Sequence, residues 1–248
     1  MQKINVTIWN EFRHEKENES VKSIYPDGLH AAIAKGIAAD DLNIRLASLD
    51  EPEHGLTDEV IAGTDVLLWW GHCHHHEVRD DIAAKVLKRV QEGMGLIVLH
   101  SGHYSKIFRA VTGTSCSLKW REVGEKERLW NIAPTHPITQ GIGEYFELEH
   151  EEMYGERFDI PDTGKVIFMG WFEGGNVFRS GVTFERGYGK VFYFQPGHES
   201  YRNFYDKNVL KIIGNAIRWA RPVFFREMTA PYSPALEEIR SINPSAKE

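Results

Sequence analysis

Cysteine is scarce in this 248-residue chain: Cys73 and Cys116 are the only two. Two cysteines cannot form a disulfide framework, and they fit a reducing cytoplasm. No stretch approaches the roughly 18 apolar residues of a membrane helix. The opening MQKINVTIWN lacks a basic segment followed by an apolar one, so neither a membrane partner nor a secretory signal is expected. Basic residues form no block and the net charge is −7, which argues against a nucleic-acid partner. Neither G-x-G-x-x-G nor G-x-x-x-x-G-K-[ST] follows a strand-like segment, so NAD and ATP are not expected cofactors. With 42% hydrophobic and 26% charged residues, disorder as the dominant state is excluded. Twelve histidines are left, and their placement is the strongest functional signal.

Hydrophobic periodicity predicts an alternation of strands and helices up to about residue 113. Strands are expected at 3–9, 42–49, 65–70 and 95–100. Helices are expected after Asp27 (as its cap), over 57–62 with Thr57 as cap, over 79–92, and over 104–111. The apolar runs DVLLWW and GLIVLH read as strands covered on both faces, which points to a parallel sheet between helical layers. The polar stretch 10–28 reads as a long functional or mobile connection. Beyond 113 the texture turns to strands, at 118–123, 129–132, 165–172, 181–185 and 190–194. Arg186–Gly189 is the turn of a late antiparallel hairpin, and a final helix covers 208–220. No linker divides the chain. Residues 1–222 read as one α/β domain, and 223–248 as an arm lying on the domain or on a neighbouring subunit of a homo-oligomer.

In an open parallel α/β sheet, ligands sit beyond the carboxyl ends of the strands. The polar clusters of this sequence fall there: WNEFRH at 9–14, GHCHHHE at 71–77, HSGHY at 100–104 and QPGHE at 195–199. His72/His75 and His100/His103 are H-x-x-H pairs, whose spacing on a helical first turn puts both rings on one face. With His198 and the run Glu149–Glu152 they make a candidate site for a divalent metal, zinc being the expected ion. The bland alternative is that these rings bond backbone at loop starts, with His74 and His76 solvated. The expected ligands are His72, His103 and His198, then His75 and His30, with Glu152 as a sixth candidate.

Glu152 and His100 are the candidates to move protons, and Arg13 to grip an anion or a carbonyl oxygen. Glu151 and Glu199 are further candidate bases or ligands. Trp9, Asn10, Trp70, Tyr104, Tyr154 and Trp171 are the candidate substrate contacts, since aromatic walls suit the C–H faces of sugars, although most large aromatics are simply core. Ser101 follows a buried strand as a nucleophile would, yet the G-x-S-x-G frame is absent, and a turn serine donating to backbone is the favoured reading. Cys73 reads as a small buried or half-buried thiol.

The blocks WNEFRHEK, IYPDGLHAAIA, LDEPEHGLT, LLWWGH, GLIVLHSGH, LKWREVGEKERLW, EEMYGE, WFEGGNVFRSG and FQPGHE together resemble the ThuA family of trehalose-utilisation proteins, from about residue 3 to 222. The resemblance implies the flavodoxin-like three-layer sandwich of class I glutamine amidotransferases. It also implies a role with trehalose or a related disaccharide, as an oxidised (keto) derivative. His30, His72, His75, His100, His103 and His198 fall in blocks that the family shares. The amidotransferase cysteine is missing from Leu99–His103, and glutamine stands before the proline at 195–196, so glutamine hydrolysis is not expected. Two functions follow as expectations. One is a metal-dependent isomerase, hydratase or hydrolase acting on a small carbohydrate. The other is a non-catalytic carbohydrate-binding or regulatory module on the same scaffold.

Overall fold

A computed structural model describes residues 3–239. Among these residues nine strands join one sheet in the order β2-β1-β3-β4-β9-β8-β7-β5-β6. The first half is parallel. Strands β1 (Ile4–Asn10), β2 (Leu42–Ser48), β3 (Val66–Trp70), β4 (Gly95–Leu99) and β9 (Gly189–Phe194) run together, with Ile8 opposite Leu68 and Leu68 opposite Ile97. The second half, β8 (Val177–Arg186), β7 (Lys165–Phe172), β5 (Lys119–Asn131) and β6 (Tyr145–Gly155), is antiparallel.

Alternation decides what each strand buries. Val66, Leu68 and Trp70 point into one layer with α3 (Leu29–Ile37) and α7 (Lys207–Ala220). Leu67 and Trp69 point into the other, with α5 (Asp80–Gln91) and α6 (Lys106–Thr112). Helix–sheet–helix layering about a parallel core is the sandwich the sequence predicts. The hairpin is also where expected, with Arg186 paired to Gly189 at the β8–β9 turn.

Several local expectations change. Asp27 does not cap α3: Gly28 holds the cap position, and the Leu29 amide donates instead to Glu15 Oε1 at 3.0 Å, a carboxylate 14 residues upstream. The polar stretch 10–28 contains two short helices, α1 (His14–Glu17) and α2 (Glu19–Ile24), the second capped by Asn18. The helix expected from Tyr104 starts at Lys106, after a 3₁₀ turn over His100–Tyr104. Segments 118–123 and 129–132 belong to the single 13-residue strand β5. Strand β6 is not among the expected strands: its charged run EHEE at 149–152 shows no apolar alternation, yet Glu151 and Glu152 are buried in it.

After α7, residues 221–239 form no helix or strand. The arm starts against the end of α5, where the Arg226 amide donates to the Glu92 carbonyl and the Arg89 guanidinium lies 3.4 Å from the centre of the Phe225 ring. Residues 240–248 of the expected arm lie outside the described residues. Among the described residues no helix is long and apolar enough to cross a membrane.

Candidate functional site

A cavity of about 530 Å³ opens at the carboxyl ends of β3 and β4, within the size range of small-molecule sites. Its other wall is the inner face of the β5–β6 ribbon. Trp120 pairs with Tyr154, and Arg121 with Met153, but Glu122, Val123 and Gly124 bulge before Glu125 meets Glu151. Gly124 takes the left-handed φ of +67° at that bulge, and Tyr201 Oη lies within 2.8 Å of where a Cβ would stand. Trp120, Glu122, Glu152 and Tyr154 consequently line the cavity together.

Buried carboxylates hold the histidine-bearing loops. Glu11, at the end of β1, accepts three successive backbone amides, from His72 (2.8 Å), Cys73 (3.1 Å) and His74 (3.0 Å). Glu151 does the same for the loop after β9, accepting from Gly197 (2.6 Å), His198 (3.2 Å) and the Asn203 side chain (2.8 Å). Trp70 Nε1 donates to the Gly197 carbonyl and ties that loop to β3. The rings these loops present are thereby fixed before any ligand arrives.

His198 is central, edge-on to both His72 and His100 at centroid distances of 5.4 and 5.3 Å. Its Nε2 stands 3.7 Å from Glu199 Oε2 and 4.0 Å from Glu122 Oε2, too far for hydrogen bonds. Among the described residues Glu199 Oε2 has no hydrogen-bond partner, and it is buried. On the other side of that carboxylate, Oε1 meets His14 Nδ1 at 2.6 Å and His72 Nδ1 at 2.9 Å. Deeper still, His100 sits at φ +48° on the turn after β4, bonds the Gln195 carbonyl through Nδ1 (2.8 Å), and faces Glu152 Oε2 through Nε2 (3.0 Å). Tyr154 stacks on it at 4.9 Å.

The electrostatics divide the histidines into two groups. Burial pushes His75, His103 and His198 down to about 4, so each is neutral at pH 7. Burial also works against charge on His72, but hydrogen bonds to Cys73 and Glu199 outweigh it and push that ring up to about 11. His100 is raised in the same way: burial opposes it, and Glu152 and Glu151 prevail. Among the carboxylates, burial raises Glu122, whereas Glu152 is lowered because His100 outweighs its burial.

Of the residues expected from sequence, His72, His75, His103, His198, Glu152, Tyr104 and Tyr154 line the cavity, and His100 lies directly behind Glu152. His103 Nδ1 is tied to the Cys116 carbonyl at 2.7 Å, an anchor that fixes the imidazole and leaves its second nitrogen for a ligand. The other expected site residues lie elsewhere. His30 is buried beside Asn10 Nδ2 (3.1 Å) and under Phe12. Asn10 is itself buried, donating to Glu15 and accepting from the Phe12 amide. Trp9 is core, stacked on Trp69 at 3.6 Å, and Trp70 is core as well. Trp171 is half-exposed on β7 beside Arg128. Arg13 is spent on Asp50 (2.8 Å) and Glu77 (2.9 Å) at the surface. Ser101 Oγ donates to the Gly71 carbonyl at 2.8 Å, as a turn serine should. Sequence reasoning missed Glu11, His14, Trp120 and Glu122. For Trp120 and Glu122 a signal existed, since their two-residue spacing mirrors that of Glu152 and Tyr154.

A family model described as ThuA, trehalose utilisation, matches residues 5–220. The chain belongs to the ThuA family. No curated protein matches this ThuA-family chain in sequence. Among solved structures, it is similar to a ThuA-like protein from Bacteroides uniformis ATCC 8492, with TM-score 0.62 at 13% identity over 88% of this chain and 91% of that one. A cytoplasmic protein from Salmonella typhimurium LT2 gives 0.61 at 13% identity, over 88% and 100%. A glutamine amidotransferase from Thermotoga maritima gives 0.53 at 9% identity, over 89% and 99%. At such identities the likeness is one of fold: the ThuA sandwich shares its fold with that glutamine amidotransferase.

Proposed function

We propose that this ThuA-family protein is a metal-dependent enzyme acting on a disaccharide or keto-sugar derivative, as an isomerase, hydratase or hydrolase. The observation that carries this reading is the gap at His198. The donor atoms of His72, His198 and Glu199 lie within 4.8 Å of one another, and Glu199 Oε2 has no hydrogen-bond partner among the described residues. A buried carboxylate oxygen with nothing to accept from costs about 1–3 kcal/mol, so a cation there removes a penalty as well as gaining ligands. The donor set fits zinc, which takes nitrogen and carboxylate oxygen. A divalent ion at this point would supply Lewis acidity toward a carbonyl oxygen or a water.

The chain's own groups handle the protons. In this reading Glu152, kept ionised by His100, serves as the base. Glu122, on the same ribbon and with a pKa raised by burial, serves as the acid in this reading. Environments that push two carboxyl groups apart in pKa divide these roles. Trp120, Tyr104 and Tyr154 offer ring faces for a sugar. This pair of tuned carboxyl groups favours an enzyme over a binding module. The elbow position carries His100 and not a cysteine, so no glutamine amidotransferase activity is included. The protein is further read as a cytoplasmic homo-oligomer.

Metal analysis of the purified protein, followed by zinc titration after chelation, tests the proposal. Stoichiometric, saturable zinc that His72→Ala and His198→Ala abolish is expected, with His76→Ala, on the exposed run, unchanged. Absence of saturable binding would overturn it in favour of the carbohydrate-binding module.

A further inference from the structure

The two oxygens of Glu199 face two different sets of donors. Inward, Oε2 faces His198 across the gap described above. Outward, Oε1 meets Nδ1 of His14 and Nδ1 of His72, and these two ring nitrogens are themselves 3.4 Å apart. Cys73 Sγ lies 3.5 Å from the same nitrogen of His72. His14, His72 and Cys73 each offer one donor atom, all within 4.8 Å of one another. Zinc bonds of about 2.0–2.3 Å at tetrahedral angles put ligand atoms about 3.3–3.6 Å apart. The nitrogen–nitrogen and nitrogen–sulfur separations have those values. The two short contacts to Glu199 are hydrogen bonds, and the Cys73 thiol turns toward the same His72 nitrogen that serves that carboxylate.

We propose that His14, His72 and Cys73 form a thiolate-bearing cation position of the zinc class at the rim of the cavity. It adjoins the inner position and shares His72 with it, so it rests on the proposed function only through that residue. A soft thiolate beside two imidazoles selects zinc over magnesium or calcium, which take oxygen. The loop is ready for this role, because Glu11 fixes the backbone of His72 and Cys73 through their amides.

Cobalt(II), titrated into the reduced full-length chain, reads this position directly through sulfur-to-cobalt absorption in the near ultraviolet. The expected result is a saturable sulfur band that Cys73→Ser abolishes, that His14→Ala weakens by at least about 10–100-fold in affinity, and that His198→Ala retains. Cys116 is buried and bonded to Thr112, and Cys73 is exposed, so Cys73→Ser should fold and any band surviving in it overturns the proposal. Cobalt bound without a sulfur band, and lost in His198→Ala, also overturns it while leaving the inner position standing. A sulfur band with no His198-dependent binding does the reverse. No cobalt bound at all overturns both.

Discussion

Glu11 shows why the site was only partly legible at the scale of single residues. In the sequence it is one glutamate in a polar stretch, and nothing local marks it. In the structure it is 3% exposed and accepts three consecutive amides, so it holds the loop that carries His72 and His75. Glu11→Ala leaves those amides without a buried acceptor and should lower stability by about 1–3 kcal/mol. It should also weaken zinc binding by about 10–100-fold, as loss of an outer-shell partner does. Urea denaturation and zinc titration of the variant check both effects. The histidines at strand ends were readable because topology, not local sequence, decides what meets there. Trp9 and Trp70 were misplaced because an aromatic at a strand end can turn to either layer, and these two complete the core.

Among the elements, legibility followed burial of apolar side chains. Strands β3 and β4 are continuous apolar runs, and α7 carries Val209, Ile212, Ile213, Ala216 and Ile217 on one face, so all three stand where periodicity puts them. Strand β6 escaped because the side chains it buries include glutamates, whose partners are the Gly197 and His198 amides and the His100 ring, 40 residues or more away along the chain. Strand β5 was split in two because its middle is charged, with Glu125 ion-paired to Arg121 and Glu127 buried against Ser180. Helix starts were less regular: Thr57 caps α4 (Asp58–Gly63) as expected, whereas α3 borrows Glu15. Asp206 is an ordinary cap, accepting from Asn208 (2.8 Å) and Val209 (3.1 Å) at the start of α7. Asp206→Ala should therefore cost about 1 kcal/mol of stability, read as a lower denaturation midpoint with an unchanged slope.

For the whole molecule, the histidines make stability depend on pH in both directions. His30, His75, His103 and His198 titrate near 4 when folded, against 6.5 as the ordinary value. Between those limits the unfolded chain takes up protons that the folded chain refuses, so stability falls as pH drops. His14, His72 and His100 have raised folded values, so their contribution is complete below 6.5 and is lost as pH rises toward those values. The metal-free protein should be most stable near neutrality. Chelated samples unfolded in urea at about pH 5, 6.5 and 9 check this, and a monotonic trend across the three would contradict it. The central claim is that a zinc-class ion sits where three parallel-strand loops meet the β5–β6 ribbon. Anomalous diffraction at the zinc edge from crystals of the zinc-loaded protein tests it most directly. The account predicts a peak within bonding distance, about 2.0–2.3 Å, of His198 and Glu199. A peak bound only to surface groups such as His74 and His76, or no peak in the cavity at saturating zinc, would contradict it.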